Sequence, residues 1–424
     1  MKPWQGRQWT QVMAGSFFLA MIASSLWVAP ATYRYARQGY PDFSCFYAAG
    51  KMVLEGHGRS LYDLAAQSEV QRQFSQVAME RNRALYYMRP PFEAVLFSLF
   101  ARLDYAKAYV TWVGLNLILI AAAAAFVRRA FSQLMSIPGW VYYAAYFAFA
   151  PIVYGLTLGQ DTGIVLLLFA LVAVCLATQR EFGAGCALGF TLIKFQLALP
   201  FVTILLLKRR FRTLAGFSLV STILVAVSAS IVGIRGLIEY PAYLFRLNQL
   251  QTTAAISPAY MPNIRGLLEG WAGLARLRPT LDLLTAVLSL MLLVWVARRW
   301  NISAAGSQAY LGGLTLALLA TVLSGYQTFV HDLSLLCPVL LISASVALDD
   351  SRLDLCTRRL LAAAAGLLFA PLYFVAMHFM GRLNVMGIFL LLLVAGWSRA
   401  ISRWEATPLR ESDLKSAGCA AEST

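Results

Sequence analysis

The sequence predicts an all-α polytopic membrane protein, a bundle of about 11 to 13 transmembrane helices with interfacial helices in its first extracytoplasmic loop. Three observations predict it. Of 424 residues, 59% are hydrophobic and only 13% charged, about half the charged fraction of a water-exposed domain. The apolar residues collect in about a dozen runs, several of them long enough to cross a hydrocarbon core. The net charge of +15 sits in short basic clusters between those runs. That is the pattern of the positive-inside rule, not of a nucleic-acid surface, so a lipid bilayer and no nucleic acid is the expected partner.

The first run, about 9–30, follows Lys2 and Arg7. It is longer than a signal-peptide core, and despite the cleavage-like Ala29-Pro30-Ala31 it reads as an uncleaved first membrane helix. Further runs lie near 91–103, 107–127, 138–158, 162–178, 184–207, 213–234, 281–297, 308–323, 333–348, 359–378 and 383–398. From residue 208 onward the clusters Lys208-Arg209-Arg210, Arg298-Arg299, Arg352 with Arg358-Arg359, and Arg399 with Arg403 alternate correctly with the runs. That alternation sets 31–90, 235–280 and the turn 324–332 on one extracytoplasmic face.

Between 91 and 207 parity allows two solutions. In one, 91–103 spans and Lys194 lies inside a span, leaving Arg128-Arg129 outside. In the other, 91–103 is half-inserted and the chain turns back near Lys194, so that Arg128-Arg129 is inside and Gly159-Gln160-Asp161 outside. The second is preferred, because broken helix and an intramembrane lysine are tolerated where they line a cavity.

Residues 1–404 read as one integral membrane domain, with 31–90 and 235–280 as its large outer loops. The polar stretch 405–424 reads as a disordered cytoplasmic tail. Within the first loop, one helix is expected from Phe43 to about Gly56 and a second over Tyr62 to Met79, both lying on the outer leaflet. Six cysteines without a CxxC pair indicate neither a disulfide framework nor a zinc site. The absence of GxGxxG and Walker patterns argues against a nucleotide-driven pump.

The candidate chemistry lies in ionisable residues near apolar runs. Asp42, in Tyr40-Pro41-Asp42-Phe43-Ser44-Cys45, is either a general base at a partly desolvated surface or a plain helix N-cap. Glu93 and Lys194 stand at membrane depth, where such groups line a cavity, pair with each other or snorkel. Asp161, in Gly159-Gln160-Asp161-Thr162-Gly163, either caps the next helix or, on the second parity solution, faces the site. His331 and Asp332 form an acid and histidine pair in an otherwise uncharged turn, although neighbours at a helix start point in different directions. Arg265 can clamp a phosphate bidentately or simply be solvated, and His57, between two glycines, reads as surface.

Taken in order, Asp42, Leu61-Tyr62-Asp63, Arg89-Pro90-Pro91-Phe92, Gly159-Gln160-Asp161-Thr162-Gly163 and Leu192-Ile193-Lys194-Phe195-Gln196 resemble glycosyltransferase family 87. These are GT-C enzymes similar to polyprenol-phosphate-mannose-dependent α-1,2-mannosyltransferases, and the resemblance runs from about Asp42 to His331. It implies a GT-C-type bundle, a cavity open to the extracytoplasmic side, a polyprenyl-phosphate-linked sugar as donor, and a glycolipid, glycan or protein acceptor. Asp42 matches the catalytic acid of the first outer loop, and Lys194 the lysine near the donor phosphate. Arg89, standing where the family usually has an aromatic, adds a cation to the same mouth.

On this resemblance Asp42 is the base, and Lys194, Arg89, Arg265 and His331 bind the donor phosphate. Glu93, Gln160, Asp161, Gln196 and Asp332 line the cavity. The sugar is hexosyl, mannosyl by default, and transfer inverts the anomeric centre. No metal ligand set is visible, and a divalent cation stays open because some GT-C enzymes use one. The expected location is the cell membrane, of the bacterial inner-membrane kind, with a cytoplasmic N-terminus and an extracytoplasmic site. The rival classes are a polyprenyl-phosphate or lipid-linked-sugar carrier without catalysis, and an inactive envelope scaffold.

Overall fold

The computed structural model describes residues 3–81, 84–250, 260–272, 278–302, 307–371 and 384–406. Within them the chain forms α-helices and short 3-10 turns, and no strand. Helix α1 (Pro3–Arg37) carries Pro30 in its interior without a break, so the cleavage-like tripeptide lies inside continuous helix. Then follow α2 (Phe43–Leu54), α3 (Leu64–Arg72), α4 (Gln76–Arg81), α5 (Pro91–Phe100), α6 (Tyr105–Ala130), α7 (Gly139–Ala148), α8 (Ala150–Leu158) and α9 (Thr162–Ala177). The second half holds α10 (Glu181–Phe190), α11 (Phe195–Leu207), α12 (Phe211–Leu250), α13 (Ile264–Ala272), α14 (Arg278–Arg299), α15 (Gln308–Ser324), α16 (Cys337–Asp349), α17 (Leu355–Phe369) and α18 (Val385–Ala406).

By length and hydropathy seven stretches qualify as spans, and eight with α7 and α8 taken as one helix bent by 50°. α9 and α15 are shorter, at 16 and 17 residues, or about 25 Å each. The run 91–103 becomes the ten-residue α5, about 15 Å long and too short to cross. Part of the run 359–378, and residues 407–424 of the polar tail, lie outside the described residues.

One end of the bundle gathers the basic clusters. The Arg128 guanidinium donates to the Ile137 carbonyl, and Ser345 Oγ donates to the Gln133 carbonyl. Trp404 Nε1 donates to Asp350, Arg299 pairs with Glu405, and Arg403 pairs with Asp354. These contacts tie the starts or ends of α6, α14, α16, α17 and α18 to one level.

The stretch Glu181–Leu207 passes as a single 27-residue span on hydropathy, yet its course is a hairpin. A straight helix of that length would separate its ends by about 40 Å. Instead Glu181 forms an ion pair with Arg210, three residues beyond Leu207. α10 therefore climbs from the basic end, the 3-10 turn Thr191–Lys194 reverses the chain, and α11 descends. α12 then runs parallel to α10. Added Cβ atoms at Gly185 and Gly216 would meet backbone of the facing helix at about 2 Å, so glycine is what permits this approach. The geometry agrees with the turn-back solution, with Lys194 at the hairpin tip.

The first loop is more enclosed than a pair of leaflet-bound helices. In α2 nine of twelve residues are buried. Phe43, Phe46 and Tyr47 interleave with Phe97 of α5 and Tyr105 of α6, and Phe97 packs in turn on Trp112 of α6, with ring centroids 4.7 to 6.1 Å apart. Packing of this kind fixes α2, and with it the residue before it, against the bundle.

Candidate active site

The loop between α8 and α9 is built to a fixed shape. Gly159 ends α8 in the left-handed region (φ 64°, ψ 34°), where glycine carries no side-chain penalty. A Cβ there would lie 2.6 Å from Phe43 Cβ. Trp112 Nε1 donates to the Gly159 carbonyl (2.8 Å), Tyr109 Oη donates to the Thr157 carbonyl (2.8 Å), and Asn116 Oδ1 accepts from Gly163 N (2.7 Å). Three side chains of α6 thus hold Gln160 and Asp161 beside the start of α2.

Asp42, Asp63 and Asp161 all precede helices, but only one caps. Asp63 accepts from the backbone N–H groups of Ala65 and Ala66. Asp42 and Asp161 make no capping hydrogen bond. The Asp42 carboxylate instead accepts from Gln160 Nε2 at 2.6 Å. Gln160 Oε1 accepts in turn from Arg89 Nη2 (3.0 Å), whose Nη1 donates to the Ile193 carbonyl (3.2 Å). Arg89 also lies over the Phe46 ring at 5.8 Å.

From Arg89 the charges alternate inward. Asp161 Oδ1 is 3.6 Å from Arg89 Nη2 and 3.0 Å from Lys194 Nζ. Lys194 donates to Asp332 Oδ1 at 2.6 Å, Asp332 Oδ2 accepts from Phe329 N at 2.9 Å, and His331 Nε2 lies 3.5 Å from Asp332 Oδ1. Asp161, Lys194 and Asp332 are at most 2% exposed. The first loop, the 159–161 loop, the hairpin tip and the 3-10 segment Val330–Leu336 thus converge at one place.

Burial raises the Asp42 carboxyl above its ordinary range; the Gln160 hydrogen bond and the Arg89 and Lys194 charges work against that rise. Among the described residues, neither Asp161 oxygen has a hydrogen-bond donor of good geometry, and His331 Nδ1 has no partner. Both groups are buried, with hydrogen-bonding capacity that the described residues leave unused.

Glu93 stands one layer back. Its Oε2 accepts from Tyr87 Oη (3.1 Å), its Oε1 has no partner among the described residues, and burial pushes its carboxyl up to about 8. Gln196 opens α11 with its backbone against Gly325, and nothing described joins its side chain to the cluster. Arg265 is buried elsewhere: it pairs with Glu269 (2.9 Å) and Asp282 (3.8 Å) and stacks on Tyr326 at 4.2 Å. It is not drawn into the cluster. His57 is exposed beside Glu55. No three His, Cys, Asp or Glu side chains converge as metal ligands among the described residues. The acids here alternate with cations, a donor set that does not suit a divalent ion.

The sequence model of glycosyltransferase family 87 matches residues 87–325, more than half of the chain. The chain belongs to glycosyltransferase family 87. It is therefore a membrane glycosyltransferase. The family 87 match opens at Tyr87 and closes at Gly325, a narrower extent than Asp42 to His331. Asp42, His331 and Asp332 join the matched segment through contacts in space. No curated protein and no solved structure matches the chain.

Sequence reasoning passed over several groups that frame this family 87 site. Gln67 Oε1 accepts from Tyr87 N, and the hydroxyls of Tyr62, Tyr240 and Tyr243 donate to the carbonyls of Arg89, Met88 and Tyr87. These four side chains hold the non-helical segment that presents Arg89. The three tyrosines showed only a tyrosine density that also suits a membrane interface, and Gln67 carried no sequence signal.

Proposed function

We propose that the protein transfers a hexosyl group, mannosyl by default, from a polyprenyl-phosphate donor to a hydroxyl of an extracytoplasmic glycolipid, glycan or protein acceptor. The observation that carries this reading is the Asp42 carboxylate. It leaves its own helix uncapped to face Gln160, in a buried cluster holding two cations. In the proposed step the acceptor O–H gives its proton to Asp42. The acceptor oxygen bonds to the anomeric carbon opposite the phosphate, and the C–O bond to the phosphate breaks with its electron pair leaving on the polyprenyl phosphate. One in-line displacement inverts the centre.

A carboxyl raised by burial is a stronger proton acceptor than an ordinary aspartate, as this role requires. Arg89 and Lys194 are the cations proposed to meet the departing charge, with His331 beside them and Arg265 further along the donor path. Gln160 orients Asp42, and Asp161 is proposed to accept from a sugar hydroxyl; Asp332 orients Lys194, while Glu93 and Gln196 are proposed to border the cavity. The site sits at the end opposite the basic clusters. By the positive-inside rule this supports an extracytoplasmic site and a cytoplasmic N-terminus.

The test is a transfer assay in nanodiscs with a panel of polyprenyl-phosphate sugars and glycolipid acceptors, scoring release of polyprenyl phosphate. Asp42→Asn keeps the shape and removes the basicity, and it is expected to lower turnover by about 10²-fold or more. Wild-type activity in that variant removes Asp42 as the base. No release from any donor by folded wild type favours the carrier class.

A further inference from the structure

Lys194 and Asp332 reach each other from two separate segments, and both segments press on one residue, Gly325. The carbonyl oxygen of Gln196, two residues after Lys194, lies only 2.9 Å from where a Cβ at Gly325 would stand. On the other arm, Thr328 Oγ1 donates to the Gly325 carbonyl at 3.1 Å, and the next residue, Phe329, gives its N–H to Asp332 at 2.9 Å. The placement of one arm relative to the other is thus set at Gly325. The 2.6 Å contact between Lys194 and Asp332 depends on it, because a buried ion pair repays its desolvation only when its geometry is close to ideal.

A third segment grips this corner. Asn263 is 0% exposed, and it uses both ends of its amide. Its Oδ1 accepts from Gly266 N at 2.8 Å and caps α13, while its Nδ2 donates to the Gly325 carbonyl at 2.6 Å. Capping needs only an acceptor oxygen, which Ser, Thr and Asp also supply. The donor end is what an amide adds, and it is directed at the residue where the two arms meet.

The grip is itself braced. At the start of α18, Asn384 repeats the arrangement: its Oδ1 accepts from Gly387 N at 2.8 Å, and its Nδ2 donates to the Met261 carbonyl, two residues before Asn263. Leu267 of α13 packs on Gly387, where a Cβ would come within 2.8 Å of its side chain. Segment 260–272 therefore joins the start of α18 to Gly325 through buried contacts, and Asn263 supplies its hydrogen bond to that corner.

We propose that Asn263 is a positioning residue for sugar transfer. By holding the Gly325 carbonyl it sets where Asp332 presents the Lys194 ammonium to the departing phosphate. This rests on the reading in which Lys194 meets the departing charge.

The experiment is a double-mutant cycle between Asn263→Ser and Asp332→Asn, read as kcat in the nanodisc transfer assay. Serine keeps a cap acceptor and is too short to reach Gly325. Alone, Asn263→Ser is expected to lower kcat about tenfold. In the Asp332→Asn background the same change is expected to lower it less than about twofold, because the carboxylate through which it acts is already gone. Asn263→Thr, a cap that keeps more of the volume, serves if the serine variant does not fold. Ser307→Ala removes the cap at the far end of α15 and is expected to lower thermal stability with kcat unchanged. Wild-type kcat in Asn263→Ser, or losses that multiply independently around the cycle, overturn the proposal. If turnover is too low to measure, the same cycle is read as thermal stability: losses smaller than additive support the coupling, and additive losses overturn it. A wild type that shows this coupling and transfers no sugar fails the transferase reading alone.

Discussion

Gln160 donates a 2.6 Å hydrogen bond to Asp42, and through its carbonyl oxygen it accepts from Arg89. One neutral amide therefore links the base to the nearest guanidinium, holding the two apart while fixing their separation. A direct Asp42–Arg89 pair would lower the basicity of the carboxylate.

This relationship sets a pH expectation. Activity that needs ionised Asp42 falls as pH drops through its raised pKa, so the acid limb of kcat/KM lies above the ordinary aspartate range of about 4. Gln160→Met removes a hydrogen bond that favours the charged form, so the limb moves to higher pH. A limb left in place in a pH series of initial rates contradicts the assignment.

The pair Lys194 and Asp332 is expected to serve stability before catalysis. Removing one partner of a buried pair strands the other charge, at a cost of about 3 to 5 kcal/mol. Lys194→Met leaves both Asp161 and Asp332 without it. The double variant Lys194→Met with Asp332→Leu strands one acid fewer and is expected to recover part of the lost thermal stability while remaining inactive. Differential scanning fluorimetry beside the transfer assay separates the two effects.

Gly159→Ala tests the loop. It forces an alanine to φ 64° and sets a Cβ 2.6 Å from Phe43, at about 1 to 2 kcal/mol for the dihedral alone. Because Gln160 and Asp161 follow directly, kcat is expected to fall about tenfold or more, with the protein still folded. Wild-type kcat shows that the loop tolerates displacement.

The hairpin makes a topological prediction. In a cysteine-free background, Gln179→Cys and Lys208→Cys are expected to react with a membrane-impermeant maleimide from the same side. Opposite sides are the outcome if Glu181–Leu207 crosses as one helix.

Several of these features were readable before the fold was known, and others were not. Lys194 was conspicuous because a cation inside an apolar run needs a reason; the alternation of basic clusters left two parities open, and the tolerance of broken helix where it lines a cavity favoured a reversal beside the lysine. Asp42 was found as a candidate, but whether it capped α2 depended on Gln160, 118 residues away. Tyr87 and Gln67 escaped notice since their task is to pin backbone, which has no pattern in composition. Arg265 was legible as a cation in an outer loop, but its engagement with Glu269 one turn further along the same helix, with Asp282 and with the Tyr326 ring depended on the fold.

The hairpin also bears on how the chain enters the membrane. An insertion machinery that reads hydropathy alone meets 27 apolar-rich residues from Glu181 to Leu207 and has every reason to pass them across. Doing so would invert all that follows. Lys208, Arg209 and Arg210 arrive immediately afterwards and resist translocation, and Arg210 finds Glu181 on the side where both began. Arg210, which closes the hairpin, and its two basic neighbours thus form a topological lock, keeping the lysine at the hairpin tip on a segment that enters and leaves by one face.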